Sequence, residues 1–101
     1  LVQAQSACTP PPMPELSRFY GIVIRMYSEP SSRHSVPHFH AYCAEHQAVF
    51  SIDQAGLMVG FLPSRQRRLV EAWAEIHHDE LIAAWRRLQT GNLPDSISPL
   101  T

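Results

Sequence analysis

From Phe19 onward apolar and polar side chains alternate with a period of two. Ile22, Ile24 and Met26 point one way and Val23, Arg25 and Tyr27 the other, as in a half-buried strand. Glu29 to Ser35, with Pro30 and three serines, reads as a polar loop. An extended run resumes through His38 to Cys43, turns near Ala44-Glu45-His46, and continues from Ala48 to Ile52, where Ala48, Phe50 and Ile52 share a face. Asp53-Gln54-Ala55-Gly56 reads as a turn in which Gly56 takes a positive φ, and Leu57 to Leu62 forms a fourth strand. Four strands with short connections predict an antiparallel meander.

At Pro63-Ser64 the period changes to 3.6, with Ser64 as the expected N-cap. Over Arg65 to Gln89, Leu69, Val70, Trp73, Leu81, Ala84 and Leu88 fall on one side of a helix, with Trp85 at its edge. Glu71, Glu75, His78, Asp79 and Arg86 fall on the other. Gly91 caps the helix and Pro94 stops it, while Ile97 and Leu100 can pin the remaining tail onto the sheet. The expected fold class is α+β: an antiparallel four-stranded meander followed by one long C-terminal helix packed on one face. Residues 1–12 read as a disordered N-terminal extension ahead of Met13, which looks like a natural initiator, and 13–101 as a single α+β domain.

Composition narrows the function. A chain of 101 residues with 45% hydrophobic side chains builds one modest core, so a partner or a homodimer is expected on size alone. With eight basic and nine acidic residues the formal charge is −1, which gives no whole-domain attraction to nucleic acid or to an anionic membrane. Cys8 and Cys43 are too few for a disulfide framework, so reduced thiols and a cytoplasmic location are expected. No segment reaches the roughly 20 apolar residues of a membrane span.

The candidate chemistry lies in Pro37-His38-Phe39-His40-Ala41, where two imidazoles two residues apart leave the same face of a strand. His77 stands in the middle of the helix's apolar side, where packing alone would put a leucine, so three histidines can meet across one core. His38, His40 and His77 are the candidate catalytic residues, a general acid and base for phosphodiester cleavage. The same three are candidate metal ligands in an alternative reading, since neutral imidazole suits zinc, nickel, copper or iron; a divalent metal is the one cofactor considered. In the structural alternative they hydrogen-bond to backbone or to one another and fix the helix on the sheet. Arg65, Arg67 and Arg68 crowd the first helical turn, where the macrodipole disfavours cations, and are candidate anion-binding residues; Arg25 and Arg33 are also available. A solvated arginine face is the alternative. The spacing of Trp73 and Trp85 places them in the core and at its edge rather than on a base-stacking surface.

Met13-Pro14, Ser17-Arg18-Phe19, Gly21-Ile22, Met26-Tyr27, the Pro37 to Ala41 block, Leu62-Pro63, Arg68-Leu69-Val70, Trp73, His77, Glu80-Leu81, Trp85, Gly91 and Ile97-Ser98-Pro99-Leu100 together resemble the small bacterial family catalogued as domain of unknown function 4160. Where that family tends to have glycine in the turn after the histidine strand, this chain has Ala44. The resemblance implies a protein encoded beside another small protein, in an arrangement like toxin-antitoxin modules, and some members carry a label of transcriptional regulator. The function expected is therefore a small cytoplasmic partner-binding protein of a toxin-antitoxin-like or regulatory gene pair. The alternative is a small histidine-dependent ribonuclease or metal-assisted hydrolase acting on RNA. DNA binding by the domain alone is disfavoured, because no helix-turn-helix precedes the single helix.

Overall fold

A computed structural model describes residues 14–27 and 36–100 of the chain. The expected extension over 1–12 and the polar loop over 29–35, Arg33 included, lie outside the described residues. The chain runs β1 (Glu15–Phe19), β2 (Ile22–Arg25), β3 (His38–Cys43), β4 (His46–Ser51), β5 (Leu57–Gly60), α1 (Ser64–Ile76) and α2 (His78–Gln89). The strands form one antiparallel sheet in the order β1-β2-β3-β4-β5. The α+β class and the meander therefore hold, but with five strands rather than four and two helices rather than one long helix.

The extra strand is β1. Its register against β2 jumps from Glu15 opposite Arg25 to Ser17 opposite Ile24, so Leu16 is bulged out of the pairing. Leu16, Ser17 and Phe19 are all buried as a result, which breaks the period of two by which a strand is recognised in sequence. Tyr20 and Gly21, both at positive φ, make the two-residue turn into β2 that suits the twist of a hairpin.

The helix divides at His77, whose φ of −104° and ψ of 29° leave the helical range. The i to i−4 ladder still bridges the division, from His77 N–H to Trp73 O at 3.0 Å and from Leu81 N–H to His77 O at 2.9 Å. Because Val70, Trp73 and Ala74 before it and Leu81, Ala84, Trp85 and Leu88 after it are all buried, the apolar stripe runs on unbroken. Charge marks the division where periodicity does not. Asp79 and Glu80 stand in the first turn of α2 and Arg86 and Arg87 in its last, each matched to the helix dipole. Pro63 rather than Ser64 occupies the N-cap of α1, with no side-chain cap bond.

Both helices close over one face of the sheet. Ile22, Ile24, Met26, Phe39, Phe50 and Ile52 from the strands meet Val70, Trp73 and Leu81 in a fully buried core. Phe39 stacks on Phe50 at 5.5 Å between ring centres, and Trp73 lies edge-on to Phe39 at 5.8 Å and tilted against Phe19 at 5.3 Å. The C-terminal tail is tied down as expected. Ile97 is buried and donates its N–H to Leu16 O at 2.8 Å, and Ser98 O accepts from Trp73 Nε1 at 2.8 Å.

One turn departs from expectation. In the turn before β5 the positive φ belongs to Ala55, at 51°, and not to Gly56. Ala44, in the turn after β3, takes φ 54°, a conformation in which a Cβ is costly. The glycine that the fold cannot replace is Gly60. Its φ is 93°, and a Cβ there would lie 2.4 Å from Gln47 O and 2.8 Å from Ala48 Cα.

Gly60→Ala should therefore lower stability well beyond the ~1–2 kcal/mol of a left-handed alanine alone. Gly91→Ala, at φ 85° with nothing within 4 Å of the added carbon, should lose only that smaller amount. Urea unfolding of the two variants checks the ranking; equal losses would contradict the close approach of β5 to β4. Ala44→Gly should be neutral to stabilising by up to about 1 kcal/mol, relief of the left-handed strain outweighing the added entropy of the unfolded chain.

Candidate functional site

The central strand β3 decides where the histidines go. Phe39 and Ala41 enter the core, so His38, His40 and Tyr42 leave the sheet on the opposite face, with His38, at the start of the strand, still within reach of Trp85 of α2. Cross-strand pairing fixes their neighbours. Arg25 and Val49 flank His40, Val23 and Gln47 flank Tyr42, and Ser51 stands opposite His38.

Five rings form a connected cluster. His40 packs against Tyr27 at 4.2 Å, His38 at 5.4 Å and Tyr42 at 6.4 Å, the last nearly parallel with a 12° interplanar angle. The hydroxyls of Tyr27 and Tyr42 hydrogen-bond to each other. Trp85 reaches the His38 ring from α2, 5.0 Å between centres. His38, His40, Tyr27 and Tyr42 are each half-buried, and the Nε2 atom of His40 is itself buried within the cluster.

His38 is also oriented by backbone. Its Nδ1 lies 2.6 Å from Val36 O. A carbonyl only accepts, so Nδ1 carries the proton and, in the neutral ring, Nε2 carries the lone pair. That is the tautomer from which an imidazole acts as a base or a ligand through Nε2.

Beside the rings, Arg18 donates to Glu15 through Nε at 3.0 Å and Nη2 at 2.9 Å, and Arg25 approaches the same carboxylate at 3.7 Å. The Arg18 hydrogen bond, then the charges of Arg18 and Arg25, hold the Glu15 carboxyl below its ordinary range, and Glu15 raises the Arg18 guanidinium in return. A carboxyl more acidic in the folded chain stabilises it above the carboxyl's free range, and that contribution is lost as pH falls through the lowered value. Exposure of the pair keeps the effect small.

His77 does not join this cluster. It stands at the junction of α1 and α2 with its ring 5.6 Å from Trp73, on the core side of the sheet, and its Nδ1 contacts the Glu80 carboxylate. The expected meeting of three histidines is thus corrected: His38 and His40 come together, and His77 lies apart because Phe39, not the histidines, faces Trp73. Among the described residues no three or more His, Cys, Asp or Glu side chains are placed to hold a metal ion, so His38, His40 and His77 do not make one ligand set. Arg65, Arg67 and Arg68 are exposed on the first turn of α1, which has no acidic residue there. Arg67 pairs with Glu71 at 3.0 Å. The arginine beside the histidines is Arg25. Tyr27 and Tyr42 were not legible as site residues, although Tyr42 shares the face of His40 by the same two-residue step that ties His40 to His38.

A family model described as a domain of unknown function (DUF4160) matches residues 21–86, from the turn before β2 through most of α2, the whole ring cluster included. The chain belongs to this family. No curated protein and no solved structure matches it. Among the described residues of this DUF4160 member no helix is long and apolar enough to cross a membrane.

The two histidine locations should behave as independent sites. In a double-mutant cycle on stability, His40→Ala and His77→Ala should add within about 0.5 kcal/mol, whereas His38→Ala and Trp85→Ala, in direct ring contact, should couple by ~0.5 kcal/mol or more. Strong coupling between His40 and His77 would restore the single-constellation reading.

Proposed function

We propose that this DUF4160 protein is a small cytoplasmic partner-binding protein of a toxin-antitoxin-like or regulatory gene pair, and that it engages its partner through the β5 side of the sheet. The observation that carries this reading is the unequal treatment of the two sheet edges. At β1 the tail lies against the edge through Ile97 N–H and Leu16 O, and Glu15 and Arg18 add charge. At β5 the order of strands ends with no such cover among the described residues, and no charged residue occurs from Leu57 to Ser64. Met58, Val59 and Phe61 stand 49%, 61% and 58% exposed there. Natural sheets blunt their edges with charge, proline, bulges, short strands or a covering segment; β5 is short and bulged but carries neither charge nor cover, and its exposed apolar side chains support docking of another chain there.

One observation favours a second reading, a histidine-dependent ribonuclease. The Val36 carbonyl fixes His38 as a potential base, with His40 adjacent and Arg25 beside it to neutralise a phosphate. The two readings use different surfaces, so they separate cleanly. Val59→Lys with Phe61→Lys should abolish co-purification with the protein encoded beside this one while thermal unfolding stays cooperative. Retained co-purification would remove the β5 reading. RNA cleavage by the purified protein that is lost in the folded His38→Gln, His40→Gln double variant would establish the ribonuclease instead.

A further inference from the structure

Resting on the reading of β5 as the docking edge, we infer that in the protein on its own this edge is occupied by a second copy of the chain, in the place the partner takes in the complex, with the two β5 strands antiparallel across a two-fold axis. The argument comes from how charge is distributed along β5. The strand itself is neutral, but its two ends differ in sign. Before it, the turn carries Asp53, 62% exposed, beside His78 and Asp79 of α2, and with Arg86 on the same groove the two carboxylates still outnumber the guanidinium. After it, the first turn of α1 carries Arg65, Arg67 and Arg68, all exposed, and only Arg67 is paired, with Glu71, among the described residues.

An antiparallel neighbour reverses this order. It brings the Asp53 end of one protomer to the Arg65 end of the other, twice per dimer by symmetry, whereas parallel pairing sets like charge on like. The arrangement also accounts for three cations crowded at the positive end of a helix dipole, a place where they are unfavourable in the isolated protomer. Between the two charged ends, Met58, Val59 and Phe61 supply the apolar contact. Met58 is bulged out of the register with β4, so few backbone groups of so short a strand are set for a regular ladder. Side-chain burial and the flanking charges therefore carry the contact more than main-chain bonds do. The product is two five-stranded sheets joined edge to edge.

Charge reversal tests this without touching the core, since Asp53 and Arg65 are exposed. Sedimentation equilibrium of the full chain should give a dimer whose dissociation constant rises on the order of tenfold in Asp53→Arg or in Arg65→Glu, and likewise on raising the salt concentration. The Asp53→Arg, Arg65→Glu double variant, which restores opposite charges across the axis, should return to the original value. Circular dichroism and thermal unfolding of each variant confirm that the fold is kept. A monomer at all accessible concentrations would overturn the inference, as would a dimer indifferent to Val59→Lys or single swaps that the double variant fails to rescue. If the chain is monomeric yet co-purifies with the adjacent gene's product through β5, the second-copy inference fails while the partner-binding reading stands. If neither association occurs, both fail.

Discussion

Trp73 is the contact on which the arrangement depends. Fully buried on α1, it packs against Phe39 of the central strand, against Phe19 at the end of β1 and against His77 at the helix junction, and its indole N–H holds the Ser98 carbonyl of the tail. One side chain thus joins the sheet, the break between the helices and the C-terminal segment. By engaging Phe39 it also decides the sense of β3. With Phe39 inward, alternation leaves His38 and His40 no choice but the open face. A slip of one residue would reverse both assignments and expose a phenylalanine in place of two imidazoles.

The same contact explains which edge stays open. Because the tail is anchored through Ser98 and Ile97, it runs beside β1, and that edge gains cover that β5 does not have. The openness of the β5 edge is therefore a by-product of core packing on the other side of the molecule.

Much of this was legible in the chain, and the exceptions have physical causes. The switch at Pro63 from period two to period 3.6, the burial of Trp73 and Trp85, the role of Gly91 and the pinning of Ile97 all follow from side-chain spacing. β1 escaped because the bulge at Leu16 puts two neighbouring residues into the core, and no alternation survives that in a strand of five. The helix division escaped because the stripe through Val70, Trp73, His77, Leu81 and Leu88 keeps its spacing across the break. The acidic pair Asp79-Glu80 in mid-run was the available signal, since acidic residues favour the start of a helix over its middle. His77 was placed on the apolar face, where the structure sets it against Trp73. Its separation from His38 and His40 was not, because helix spacing says nothing about which face of a sheet the helix covers.

That separation changes what the histidines can mean. His77, between Trp73 and Glu80, serves the junction of two helices, and its carboxylate partner completes the first turn of α2. His38 and His40 are supported instead by rings from three elements: Tyr27 following β2, Tyr42 on β3 and Trp85 on α2. Such support orients the imidazoles from the sides and leaves each of them half-buried. The open face and the β5 edge are also continuous through Val49, which flanks His40 on one side and pairs with Val59 on the other. The edge and the histidine pair are still distinct surfaces separated by the single strand β4, the pair on the ring-lined face and the exposed apolar side chains at its margin.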